Sequence, residues 1–233
     1  MSVHYDALDI NRDIRLDLPI REGAGVITHS VAPLKPLVAF VGAPAWTTLD
    51  SYLGCLTLDG VADYLWASGA DTTTMDFTSG DYSIAGWWFI QSGDPSQELI
   101  NRFVLSNNGW ELYHYSNLLM TLRHHHAAGA TTRTGCYSAG WAYNTWHFLL
   151  VTRSGVSGQF YRGTPPGDFT SLTTVSDVLI APETCVANLN IGAIPGPTNR
   201  HKGLFWRPRV WARALTEADG RWIYEREVRW FLS

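Results

Sequence analysis

Eleven short apolar or alternating runs, none longer than nine residues, carry most of the regular patterning in this 233-residue chain. They span 14–19, 55–59, 63–67, 82–90, 99–105, 110–115, 118–125, 146–153, 158–162, 188–193 and 204–211, with turn residues between them. Runs of this length and spacing predict a two-layer β-sandwich. The segment NTWHFLLVTRSGVSGQFYRG (144–163) reads as a hairpin. Its first strand alternates Trp146, Phe148 and Leu150 with His147, Leu149 and Val151, so both faces are largely apolar and cover is expected on each. Trp87 and Trp88 must likewise point in opposite directions. One helix is expected from about 216, where Thr216 and Asp219 resemble a capping box ahead of EADGRWIYEREVRWF, with Gly220 a weak point inside it.

Composition narrows the function classes. Charged residues make up 16% of the chain, against about 25% in ordinary domains. A net charge of −4 has the wrong sign for a nucleic-acid partner. No apolar run reaches the roughly 18 residues of a membrane span. Cys55, Cys136 and Cys185 are an odd, widely spaced set, read as buried free thiols. The first residues, MSVHYDALDINRDIRLDL, have no apolar signal core, and no glycosylation sequon occurs. The expectation is a chain made, folded and kept reduced in a cytoplasm, with 1–13 an N-terminal arm and 14–233 a single domain.

Six segments, in order, resemble the laminin-G-like, concanavalin A-like lectin/glucanase jelly roll. LDLPIREGAGVITHS (16–30) is similar to the family's opening strand and turn, and CLTLDGVADYLWA (55–67) to its next hairpin through Asp59, Gly60, Asp63 and Tyr64. MDFTSGDYSIAGWW (75–88) is similar to a third element. The 144–163 hairpin matches through Trp146, His147, Val151, Thr152, Arg153, Tyr161 and Gly163. NIGAIP (190–195) and RVWARALTEAD (209–219) resemble the closing elements. The resemblance implies an all-β, two-sheet antiparallel sandwich with one short C-terminal helix. There are departures: Arg207 and Pro208 stand where the family often carries acids, and Arg162 replaces the usual Asp before Gly163. Pro208 cannot donate to a ladder, which predicts an edge or a bulge.

The resemblance also implies site chemistry. The fold's glucanases carry an E-x-D-x-x-E strand signature, which is absent; Glu111 reads as an isolated acid, so an enzyme is not expected. Lectin-type members hold Ca²⁺ on rim loops, which makes Asp59 and Asp63 the best calcium ligands here, with Asp81 and Asp94 as others. Trp141, Tyr143 and Asn144, before the hairpin, are candidates to stack on and hydrogen-bond a sugar, as are Trp110 and Tyr113 from a sheet face. His124 and His126 share a strand face and read as surface or loop histidines rather than metal ligands. Trp222, Trp230 and Phe231 either pack back on the sandwich or form a contact with another subunit.

Together these readings predict a non-enzymatic binding or structural module. Foremost is a virion accessory or phage capsid-decoration protein at the particle surface, contacting other structural proteins or surface glycans as a homo-oligomer or lattice-bound copy, with no nucleic-acid or membrane partner. A carbohydrate-binding lectin module, calcium-dependent in one version, is the second reading. A glycoside hydrolase with an unrecognised acid pair is the third.

Overall fold

Short strands become stable only when their edges are paired and their apolar faces covered. The computed structural model, which describes residues 8–127, 132–194 and 199–232, does both with two antiparallel sheets. The strands before residue 91 are Ile14–Asp17 (β1), Ile27–His29 (β2), Leu37–Val41 (β3), Ala45–Thr48 (β4), Gly54–Asp59 (β5), Tyr64–Ala67 (β6) and Tyr82–Ile90 (β7). The middle strands are Ser96–Val104 (β8), Asn108–Tyr115 (β9), Leu119–His125 (β10), Arg133–Ser138 (β11), Trp146–Ser154 (β12) and Ser157–Gly163 (β13). Phe169–Ser171 (β14), Val175–Ser176 (β15), Leu189–Ile191 (β16) and Lys202–Trp211 (β17) complete the set, before the helix Glu217–Glu227 (α1). One sheet orders β14-β13-β12-β7-β17-β5-β4, with β1 also on β17; the other orders β15-β11-β10-β9-β8-β16-β6-β3-β2.

The two tryptophans at 87 and 88 show how the layers stack. Trp88 faces the opposite sheet, against Phe205 and His201, while Trp87 turns outward onto Phe148, Tyr224 and Phe231. The two-faced strand predicted at 146–153 is β12: Leu149 and Val151 are buried between the sheets, and Phe148 is buried under α1 and Phe169. The eight-stranded sheet is therefore covered on its outer face by α1 and the chain's last turn. The helix begins with the expected capping box, in which Thr216 Oγ1 accepts from Asp219 N at 3.1 Å and Asp219 Oδ2 accepts from Thr216 N at 2.9 Å. All three cysteines are buried thiols.

Pro208 lies in a bulge. The register of β17 on β7 slips between Trp206 and Arg209, and β17 changes its other neighbour there, from β5 to β1. The strand is central, so the edge alternative is excluded. The extra residue puts Trp206 and Arg209, three apart, on one face: they sit opposite Trp87 and Ala85.

Several expectations need correction. Strands β2, β3, β4, β11, β14 and β15 are additional to the runs read from the sequence. In β11 the inward residues are Thr134, Cys136 and Ser138, too polar to register as an apolar alternation. Residues 1–7 of the expected arm and Pro195 lie outside the described residues. Residues 8–13 are docked: Ile10 is buried, and its carbonyl accepts from Trp211 Nε1 at 2.8 Å. Among the described residues no helix is long and apolar enough to cross a membrane.

Gly220 is required by close packing. A Cβ there would lie 2.5 Å from Phe169 Cζ and 2.6 Å from Leu150 Cδ2. Alanine would gain about 1 kcal/mol of helix propensity, but forcing the helix off the sheet costs about 1–3 kcal/mol. Gly220→Ala should therefore lower the urea midpoint; a raised midpoint would mean that the helix is not seated this closely.

Candidate binding cleft and a buried acid pair

The aromatics singled out as sugar platforms divide by burial. Trp110 and Trp141 are core residues: Trp110 Nε1 donates to Met75 O at 2.8 Å, and Trp141 meets His147 and Phe160 edge-on. Neither presents a ring face to solvent, which corrects the expectation for both. Tyr113 is also buried, its hydroxyl accepting from Arg123, and burial first of all pushes its phenol up to about 12. Tyr143 is half-buried with its ring against His114, and Asn144 is exposed in a left-handed turn, its N–H bonded to Ile90 O. The alternation was legible from sequence, but which face becomes interior was not.

Asp59 and Asp63 close a turn. Asp59 Oδ1 accepts from the amides of Val61 (2.7 Å), Ala62 (3.0 Å) and Asp63 (3.1 Å). Burial acts to raise its pKa, but these amides outweigh it and hold the carboxyl below its ordinary value. Asp63 Oδ1 accepts from Ala43 N at 2.7 Å. Both carboxylates are thus committed to backbone rather than set out as calcium ligands. Among the described residues no cluster of three or more His, Cys, Asp or Glu is placed to hold a metal.

The histidine triplet is interior, which corrects the surface assignment. His124 Nδ1 bonds Ile180 O at 2.8 Å and Nε2 pairs with the Tyr82 hydroxyl at 2.7 Å. His126 shares that face and bonds the Thr134 hydroxyl. His125, on the other face, stacks on Phe103 and approaches Glu111 Oε1 at 3.1 Å.

Glu111 is not isolated. β8 begins at Ser96 rather than Leu99, and this brings Glu98 into the sheet beside it. Glu98 is 1% exposed and Glu111 4%. Burial, then the neighbouring charge of Glu111, pushes Glu98 well above the carboxylate range, which favours its protonated form, hydrogen-bonded through its O–H to Glu111. Burial opposes ionisation of Glu111 too, but His125 and Arg123 hold its carboxyl below its ordinary value. One protonated and one ionised carboxyl are the ingredients of glycoside hydrolysis. Retaining hydrolysis, however, needs them about 5–5.5 Å apart with the sugar between them. Here they touch each other and are sealed.

The open site lies on the outer face of the eight-stranded sheet, beside α1. A cleft of about 610 Å³ is walled by Trp206, Trp211, Trp222 and Trp230 and by arginines from three separate segments. At its base Arg207 bonds Asp17 through Nε and Nη2, both at 3.0 Å, and Glu227 Oε1 through Nη1 at 3.0 Å. Glu227 Oε2 accepts from Arg209 Nη2 at 2.7 Å and from Trp87 Nε1 at 2.9 Å. Arg207 sits at φ +53°, a left-handed conformation imposed by the bulge, and these ionic bonds offset its cost of about 1–3 kcal/mol. Of the three aromatics expected at the C-terminus, Phe231 packs back onto Trp87 at 3.9 Å, whereas Trp222 and Trp230 face the cleft. Arg21, Trp206 and Trp222 are too far apart in sequence for any local pattern to have grouped them.

Over residues 62–219 the chain matches the family described as the concanavalin A-like lectin/glucanases superfamily. A search of the curated proteins finds no match. Among solved structures, the binding domain of botulinum neurotoxin DC in complex with SialylT superposes with a TM-score of 0.68 at 13% identity, over 94% of this chain and 52% of that one. The botulinum neurotoxin serotype C1 binding domain gives 0.69 at 15% identity, over 94% and 53%. The DC binding domain in complex with rat synaptotagmin II gives 0.67 at 13%, over 94% and 52%. The chain thus spans about half the length of these structures, and at such identities the likeness is one of fold.

Proposed function

Since the chain belongs to the concanavalin A-like lectin/glucanases superfamily, we propose that it is a non-enzymatic recognition module that holds a glycan in the cleft beside α1. The observation that carries this reading is the cleft's lining: the exposed Trp222 and part-exposed Trp230, with the buried Trp206 and Trp211 behind them, around a hollow of about 610 Å³, and Glu227 the one acid among its described lining residues, already bonded to two arginines. Indole faces offer large apolar area for the C–H face of a sugar, and a few fixed polar groups orient it. Entry of one similar protein, botulinum neurotoxin type C, into cells is described as dependent on interaction with two ganglioside molecules. Another is in complex with rat synaptotagmin II. Glycan and protein are therefore the partner classes to test, and the sugar-sized cleft favours the glycan. The narrower expectation of a virion or capsid-decoration role draws no support from the cleft or from these matches.

The test is a glycan library probed with the intact chain and with a Trp222→Ala/Trp230→Ala variant. Each aromatic contact contributes about 0.5–1.5 kcal/mol, so losing both should weaken binding about fivefold or more. Binding untouched by the variant would move the site elsewhere. Release of reducing sugar, abolished by Glu98→Gln, would replace this reading with a hydrolase.

A further inference from the structure

We infer that the cleft selects an acidic saccharide, with the ligand's carboxylate held by the arginines; this deepens the reading above and rests on it. Charge is the first reason. The whole chain carries −4, yet five arginines line the cleft (Arg21, Arg207, Arg209, Arg226 and Arg229) against the carboxylates of Glu227 and, beneath it, Asp17. Among the described lining residues, with Asp17, that leaves an excess of three positive charges in one hollow of an acidic protein. Among the described residues, no carboxylate lies within 4.0 Å of the guanidinium of Arg21, Arg226 or Arg229, although the Glu22 carboxylate accepts from the Arg21 main-chain N–H at 3.0 Å.

Orientation is the second reason. The Arg226 guanidinium lies 3.7 Å above the Trp222 ring, and that of Arg229 lies 5.1 Å from the Trp230 ring centre. Stacking takes up one face of a guanidinium and leaves its N–H edge for in-plane bonds; Arg226 Nη1 already donates to Trp222 O at 3.3 Å, and the remaining donors are left for a planar carboxylate. The ring below restrains a side chain that would otherwise have to be ordered on binding.

The ligand class follows from the two together: one carboxylate for the guanidinium edges, on a ring whose apolar face meets indole. A polyanion fits less well, because the acidic remainder of the surface would repel its length.

The experiment is calorimetric titration of the intact chain at fixed ionic strength with methyl β-D-glucuronide, with methyl β-D-glucoside, and with inorganic phosphate. A ring with a carboxylate, the same ring without one, and an anion without a ring are thereby separated. The glucuronide should bind about tenfold or more tighter than the glucoside, from a charge-assisted bidentate contact, and phosphate should compete weakly. Arg226→Gln/Arg229→Gln, both exposed positions, should reduce the glucuronide to the glucoside's affinity while leaving the melting temperature in place. Equal affinity for the two glycosides, with both lost in the Trp222→Ala/Trp230→Ala variant, would overturn acid selection and leave the glycan reading standing. Phosphate matching the glucuronide would overturn the saccharide part. Glucuronide binding unaffected by either double variant would overturn both.

Discussion

On acidification from pH 7 to pH 4.5 the protein should lose several kcal/mol of stability. Three buried histidines set this. Burial, the largest cause in each, pulls His124 and His201 down to about 3 and His147 to about 4, from an ordinary 6.5. A base whose folded pKa is depressed contributes its full stability above pH 6.5 and loses it as the pH falls toward the folded value. At 1.36 kcal/mol per unit, each costs about 2 kcal/mol at pH 5. The hydrogen bonds agree with neutral rings. His147 lies between the Ala142 carbonyl at 3.2 Å and the Thr164 hydroxyl at 2.9 Å, so its Nε2–H donates and its Nδ1 accepts. Glu98 works in the opposite sense: its raised pKa means that the folded state gains stability as pH falls toward 4.5. It offsets part of the histidine loss, which is itself a large share of the roughly 5–15 kcal/mol of a typical domain. Below pH 4.5 the depressed carboxyls of Glu111, Glu22 and Asp59 add to the loss. Urea titrations at pH 7, 6, 5 and 4.5 measure this directly. A neutral His201→Asn variant should show a shallower fall with pH. A urea midpoint at pH 4.5 equal to that at pH 7 would rule out neutral, sealed imidazoles.

The fold was more legible in the sequence than the site, for a physical reason. Alternation and turns are local, so β7 was bounded at 82–90 from pattern alone, and the Thr216 capping box placed the start of α1. Pro208 forecast an edge or a bulge, and the structure has the bulge, because the missing N–H is a property of one residue. The site depends on facts that are not local. Trp110 and Trp141 have the same indole as Trp222, and only the packing of the second sheet makes them interior. Glu98 was placed outside its strand because the apolar run starts at Leu99, and its partner Glu111 lies on the neighbouring strand. The cleft draws residues from near 21, 207 and 226, brought together by the helix closing over the bulge.

Glu227→Ala should be among the most destabilising single substitutions in the chain, at about 3–5 kcal/mol. The carboxylate is 5% exposed and takes Arg207, Arg209 and the Trp87 indole N–H at once. Exchanging a whole buried ionic group for apolar residues can be nearly neutral, but removing one partner leaves the others charged and dry. Among the described residues Arg209, 4% exposed, has no second carboxylate within 4.0 Å, whereas Arg207 keeps Asp17. The penalty therefore falls mainly on Arg209, with the unmet Trp87 N–H adding to it. At about 2–4 °C per kcal/mol for a chain of this size, the melting temperature should fall by about 10 °C. The same variant probes the cleft. Truncation removes its one lining carboxylate, so formate or acetate should enter and restore part of the lost melting temperature in proportion to the logarithm of its concentration. Chloride at equal ionic strength should restore less, because it cannot bond two guanidinium edges at once. A variant that melts within 2 °C of the parent would show that Glu227 does not neutralise Arg209, and equal rescue by chloride would show that screening, rather than a seated carboxylate, is all that the arginines require.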